Sequence, residues 1–98
     1  MHVISRSKLI DFWKKHPPAE IGLKTWFQKV RNAQWKSLQD IKRDFPTADL
    51  IGNDRVIFDI KGNDYRMICL VFIKGQKVYI RFVGTHGEYD KIKDARKI

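Results

Sequence analysis

Residues 56–90, VIFDIKGNDYRMICLVFIKGQKVYIRFVGTHGEYD, decide the fold. Here the apolar period is two: Val56, Phe58 and Ile60 alternate with Ile57, Asp59 and Lys61, as a half-buried strand requires. Gly62-Asn63 is a tight hairpin signal. Residues 65–73 are apolar at almost every position except Arg66, which marks the strand most covered on both faces and puts it at the centre of the sheet. Residues 74–77 form a second turn. In the strand that follows, alternation assigns Val78, Ile80 and Phe82 to the core face and Tyr79, Arg81 and Val83 to the other. The stretch reads as an antiparallel meander that brings Arg66 near Arg81 and ends in a cluster of polar side chains, His86, Glu88, Tyr89 and Asp90.

Upstream the period lengthens. His2-Val3-Ile4 is short and partly β-branched, a strand able to dock on a sheet. Ser5 or Ser7 can cap a helix over residues 7–16, where Leu9, Ile10, Phe12 and Trp13 make a broad apolar face and Lys8, Asp11, Lys14 and Lys15 a solvated one. Pro17-Pro18 stops it. Pro18 opens a second helix whose apolar positions are Ile21, Leu23, Trp26, Phe27 and Val30. Ser37-x-x-Asp40 has the form of a capping box before a short third helix, closed by Phe45-Pro46. Residues 91–98 make a short last helix or a frayed end. Residues 1–98 therefore read as one α+β domain: an N-terminal strand and two to three helices packed on one face of an antiparallel sheet, with the other face open and basic.

Composition narrows the partners. Twenty Lys and Arg against eleven Asp and Glu leave a net charge of +9 in 98 residues, which favours a polyanion, nucleic acid before a membrane surface. Apolar runs are too short to span a bilayer and the N-terminus lacks the apolar core of a signal peptide, so a cytoplasmic protein without membrane association is expected. The lone Cys69 sits in an apolar run and reads as core. His2, His16 and His86 are far apart and no Cys/His spacing suits zinc, so neither a metal nor a cofactor is expected. Turn glycines are isolated, which argues against a nucleotide-cradling loop and so against a kinase or dehydrogenase.

Chemistry then falls to acid–base and electrostatic groups. His86 can accept or donate a proton near neutrality, as RNA cleavage by its own 2′-hydroxyl requires, although a histidine at a strand end also serves as a turn residue. Tyr89 can stack on a base, act through its hydroxyl, or cap the core. Asp90 can orient His86 or Arg81, or cap the tail. Arg66 and Arg81 interrupt apolar strands, which fits a shared phosphate site or, for the bland alternative, pairing with Asp59 or Asp64. Lys61, Lys77 and Tyr79 add candidate RNA contacts on the same sheet.

Two segments carry a resemblance. Phe58-Asp59-Ile60-Lys61-Gly62-Asn63-Asp64-Tyr65-Arg66 and Tyr79-Ile80-Arg81-Phe82-Val83-Gly84-Thr85-His86-Gly87-Glu88-Tyr89-Asp90 closely resemble the HigB-type toxins of the RelE superfamily. Trp26, Ala33, Trp35, Ser37, Asp40, Phe45-Pro46, Ala48-Asp49 and Val56 fall where that family has similar residues. The resemblance implies a RelE-like fold and a toxin–antitoxin toxin that cuts mRNA, typically on the ribosome, neutralised by a helix-turn-helix antitoxin of the HigA type. It implies a catalytic set of His86, Arg66, Arg81, Tyr89 and Asp90, with the assignment of acid and base left open. A non-catalytic RNA- or ribosome-binding module using the same basic sheet, or a basic surface that chiefly docks an acidic antitoxin, are the alternatives.

Overall fold

The computed structural model describes residues Met1–Ile98. Its elements run β1 (His2–Ile4), α1 (Ser7–Lys15), a 3₁₀ turn (Pro17–Ala19), α2 (Glu20–Arg31), α3 (Leu38–Asp44), β2 (Asp49–Gly52), β3 (Arg55–Ile60), β4 (Tyr65–Phe72), β5 (Lys77–Thr85), α4 (His86–Asp90) and a 3₁₀ turn (Ala95–Lys97). The five strands form one sheet in the order β1-β5-β4-β3-β2, with β4 at its centre as the continuous apolar run demands.

The sheet is mixed rather than antiparallel. β1 lies parallel to β5, with His2, Val3 and Ile4 opposite Lys77, Val78 and Tyr79. No hairpin sets its direction, because β1 joins the sheet through the helices that follow it. A strand the alternation did not reveal, β2, pairs antiparallel with β3. At four residues it is too short to show a period, but Gly52-Asn53-Asp54 repeats the Gly62-Asn63-Asp64 of the next hairpin; Gly52, Asn53 and Asp54 all take positive φ, as Lys61 and Gly62 do.

Helices α1 to α3 cover one face. Leu9, Phe12, Leu23, Trp26, Val30 and Ile41 join Val56, Phe58, Met67, Cys69, Val78 and Ile80 in a single cluster of 19 buried residues. Phe58 takes Trp26 and Phe45 edge-on, at 5.4 and 5.0 Å between ring centroids. Cys69 is fully buried, and burial pushes its thiol well above the ordinary value. Asp40 accepts the amides of Lys36 and Ser37 at 2.7 and 3.3 Å, so the proposed start of α3 stands. At α1 the expected serine cap is absent: Arg6 occupies the N-cap with no side-chain bond, and Ser5 has a φ of 72°. Pro17 and Pro18 fold into the 3₁₀ turn, so α2 begins at Glu20. Ile21 is 81% exposed, since Leu23, Trp26 and Val30 define the buried stripe and Ile21 lies outside it.

The β4–β5 ladder carries a bulge. Ile68 pairs with Phe82 and Cys69 with Ile80, leaving Arg81 as the extra residue. Strict alternation therefore fails along β5: Val78 and Ile80 are in the core, but beyond the bulge it is Val83 that packs on it, while Phe82 turns to the far face beside Ile68. That far face is not open, as expected, but partly covered by the chain's last segment. Arg55 donates Nε and Nη2 to the carbonyl of Ile98 at 3.1 and 2.8 Å, Asn53 donates to that of Arg96 at 3.0 Å, and Tyr89, Ile92 and Ala95 line a shallow cavity with Ile51 and Ile57. Ile57 and Ile68 are buried by this second layer, outside the main cluster. No helix is long and apolar enough to cross a membrane.

Gly22 shows how tightly the two layers meet. A Cβ there would lie 2.8 Å from Cγ2 of Ile60, itself buried. Gly22→Ala should therefore lower the denaturant midpoint, the overpacking cost of about 1–3 kcal/mol outweighing the ~1 kcal/mol that alanine gains in helix propensity. A higher midpoint would show that α2 can move off β3.

Candidate active site

The polar cluster gathers where the β3–β4 loop meets the end of β5. That loop has four residues, 61–64, since Ile60 and Tyr65 form the last pair of the ladder. Lys61 and Gly62 take the left-handed φ values of 54° and 65°, and the amide of Asp64 donates to the carbonyl of Lys61 at 3.2 Å. Gly62 and Asn63 are therefore the central residues of the turn, as expected, and the Asn63 side chain is available to the site.

Thr85 fixes the other wall. Its Oγ1 accepts the Glu88 amide at 3.1 Å, and Glu88 Oε1 accepts the Thr85 amide at 2.8 Å. This reciprocal cap starts α4 at His86. The Thr85-x-x-Glu88 signature was present in the sequence and could have revealed the helix, whereas Glu88 had appeared only as a member of the polar cluster. Helical spacing then sets two faces: His86 and Asp90, four apart, look one way and Glu88 the other.

Three side chains form a line. His86 Nε2 is 3.3 Å from Asp90 Oδ2, and its Nδ1 is 3.2 Å from Asn63 Oδ1. Arg66 Nη2 donates to that same Oδ1 at 3.2 Å, so the amide oxygen of Asn63 is the acceptor of both. Both ring nitrogens thus face oxygen acceptors, the Asn63 amide and the Asp90 carboxylate, and the ring is held between them. Asp90 thus lies beside His86 rather than Arg81. Both are solvent-accessible, at 39% and 59% of their side chains, so the pair adds little to stability and acts on orientation.

Arg66 is held on three sides. It faces Asp59 across the β3–β4 ladder, with Nε 3.1 Å from Oδ1. The N–H is not aimed along that line, so the contact is one of charge rather than a hydrogen bond. The guanidinium carbon stands 4.8 Å from the centre of the Tyr89 ring, a cation–π contact. These contacts leave Nη1 without a protein partner. The pairing with Asp59 and the place beside His86 thus coexist.

The remaining candidates lie apart. Arg66 is opposite Gly84, not Arg81. The bulge directs Arg81, which is exposed, into grooves that it shares with Lys8 of α1. Lys61 is exposed on the loop that carries Asn63. Tyr79 lines the second of those grooves, and Lys77 begins β5, roughly 27 Å of extended chain from Thr85. The structure thus brings together His86, Asp90, Arg66 and Tyr89, adds Asn63, and places Arg81, Tyr89's neighbour in the expected set, on a separate surface. Asn63 had appeared only as a turn residue, and no signal short of the loop geometry would have singled it out.

A family model for HigB toxin, described as the RelE-like toxic component of a toxin–antitoxin system, matches residues 19–92. The chain is 33% identical over 92 residues to the mRNA interferase toxin HigB of Escherichia coli strain K12, an alignment covering 92% of this chain and 88% of that one. The same figures hold for the mRNA interferase HigB of Shigella flexneri. A more distant mRNA interferase HigB, from Escherichia coli O6:H1, is 22% identical over 94 residues, covering 94% of this chain and 91% of its own.

The reciprocal cap has a pH signature. The Thr85 amide holds the Glu88 carboxyl below its ordinary value, aided by the Thr85 hydroxyl, His16 and Lys91 and opposed by partial desolvation. A folded-state value below the unfolded one stabilises the fold above the unfolded value, and that contribution is lost as pH falls through the folded one. Glu88→Gln should thus lower the melting temperature at pH 7, by an amount that shrinks below about pH 4.5. Thr85→Ala should cost about 1 kcal/mol at neutral pH, read by denaturant melts.

Proposed function

The chain belongs to the HigB family of RelE-like toxins, the toxic components of toxin–antitoxin systems, and we propose that it is an endoribonuclease that cleaves mRNA at the Asn63–His86–Asp90 line beside Arg66 and Tyr89. The observation that carries this site is the histidine whose ring is held between a carboxylate and an amide oxygen that also accepts from an arginine.

The reaction is attack of a ribose 2′-hydroxyl on the adjacent phosphate. The O2′–P bond forms, the P–O5′ bond breaks, and the products are a 2′,3′-cyclic phosphate and a 5′-hydroxyl. The 2′-hydroxyl loses its proton and the leaving O5′ gains one, His86 serving this transfer while Asp90 stabilises the ring when it is charged. Arg66 offers Nη1 to the phosphate oxygens, where charge grows in the pentacoordinate transition state. Tyr89 supports the guanidinium from its ring face. Arg81 and Lys61 contact substrate phosphates on either side, with Tyr79 and Lys77 further out along β5. The chemistry uses acid–base and electrostatic groups and calls for no metal or cofactor.

We place residues 1–98 in one RelE-like toxin domain, acting in the cytoplasm on mRNA held by the ribosome and neutralised by a cognate helix-turn-helix antitoxin of the HigA type. The net charge of +9 supports a polyanionic substrate of this kind.

Mapping of mRNA 5′ ends after induced expression tests the reading. Wild type should produce discrete new ends, and His86→Ala should reduce the cleavage rate by roughly 10²–10⁴-fold. Asn63→Ala should fall less and change the pH–rate profile, because it frees the ring rather than removing it. Arrested translation without new ends would favour a non-catalytic RNA-binding module, and cleavage that stops in a chelator would overturn the metal-free mechanism.

A further inference from the structure

α4 is a wall shared by two surfaces, and the groups placed at the scissile phosphate lie on only one. On the other side lies a groove of about 380 Å³ between α1 and the end of β5, lined by Lys8, Asp11, Phe12, Lys15, His16, Arg81, Phe82, Val83 and Glu88. We infer that this groove is a second nucleotide-binding site, which takes the single-stranded RNA flanking the scissile phosphate. The inference rests on the ribonuclease reading for its ligand.

Several independent features support it. β1 covers β5 only at residues 77–79, so the outer edge of β5 beyond them faces α1 rather than another strand. The bulge sends Arg81 to that edge. Lys8, Asp11, Phe12 and Lys15 are spaced i, i+3, i+4 and i+7, one stripe of α1 aimed into the groove, and His16 closes its end. Lys8 and Arg81 also line an adjoining groove with Ser5 and Tyr79, which makes a continuous basic path along the strand edge.

The groove also has ring surfaces. The His16 imidazole stacks on Phe12 at 4.5 Å and 26°, a planar arrangement that a base can extend. Phe82 lies across Gly84, where a Cβ would come within 2.5 Å of its Cζ. Cations with planar rings along an edge are what a sequence-tolerant single-strand site needs, phosphates meeting Lys and Arg and bases meeting rings. Two acids face the same space. Glu88 has its carboxylate engaged by the Thr85 amide, whereas Asp11 makes no ion pair and opposes an anion.

Binding of a fluorescein-labelled single-stranded RNA of about twelve nucleotides to the full chain, on the His86→Ala background so that nothing is cut, tests the groove. Lys8→Ala with Lys15→Ala should weaken binding about fivefold or more and reduce the slope of log affinity against log salt by about 1.4, two single-strand contacts' worth. Asp11→Asn should tighten binding, which a merely structural residue would not do. With 4-thiouridine in the RNA, photoadducts should map to His16 or Phe82. Unchanged affinity and slope in the lysine variant, or adducts confined to Tyr89 and its neighbours, would overturn the proposal. RNA held in the groove by a protein that leaves mRNA uncut would uphold the groove and remove the cleavage reading alone.

Discussion

A single extra residue in the β4–β5 ladder sets the layout of this molecule. Without the bulge at Arg81, strict alternation would carry Phe82 into the helical core and Val83 out of it. Arg81 would then sit in line on the sheet face instead of at its edge. The phase change lets β5 serve two layers in succession. Its first half buries Val78 and Ile80 in the helical core, and beyond the bulge Phe82 pairs with Ile68 and lines the groove at the strand edge. The strand then delivers Thr85 opposite Tyr65, where the cap of α4 can form beside the β3–β4 loop.

The site illustrates how little of its precision comes from strong bonds. His86, Asp90 and Asn63 are exposed or half-exposed, and such contacts contribute little to stability. Their arrangement is imposed by backbone. The His86 amide donates to the carbonyl of Asp64 at 3.0 Å, tying α4 directly to the loop that carries Asn63. Arg66 connects that loop to the sheet through Asp59 and to α4 through Tyr89. The side chains of the proposed site can therefore stay exposed while the backbone behind them is tied in place.

Much of this was legible in residues 56–90. The central place of β4 followed from its unbroken apolar run, the helices from their 3.6-residue spacing, and the polar cluster from its density after a strand. Three things were not. β2 is too short to have a period and was visible only as a repeated Gly-Asn-Asp. The bulge leaves no trace in a pattern read as uniform alternation, so the faces assigned to Phe82 and Val83 exchanged and the expected meeting of Arg66 with Arg81 did not occur. The tail read as a short last helix or a frayed end, and its place on the sheet stayed hidden because that hold depends on carbonyls gripped by Arg55 and Asn53, a contact that takes no particular side chain.

The parallel pairing of β1 with β5 bears on the order of assembly. The N-terminal strand has no partner until residues 77–79 are in place, and the α4 wall lies just beyond them. Non-local pairings of this kind form late, because the chain must lose its loop-closure entropy before they repay it. During synthesis the helices and first hairpins can be structured while the polar cluster and the α1 groove are still missing their shared wall. In a chain built this way the proposed site is completed in one of the last steps of folding.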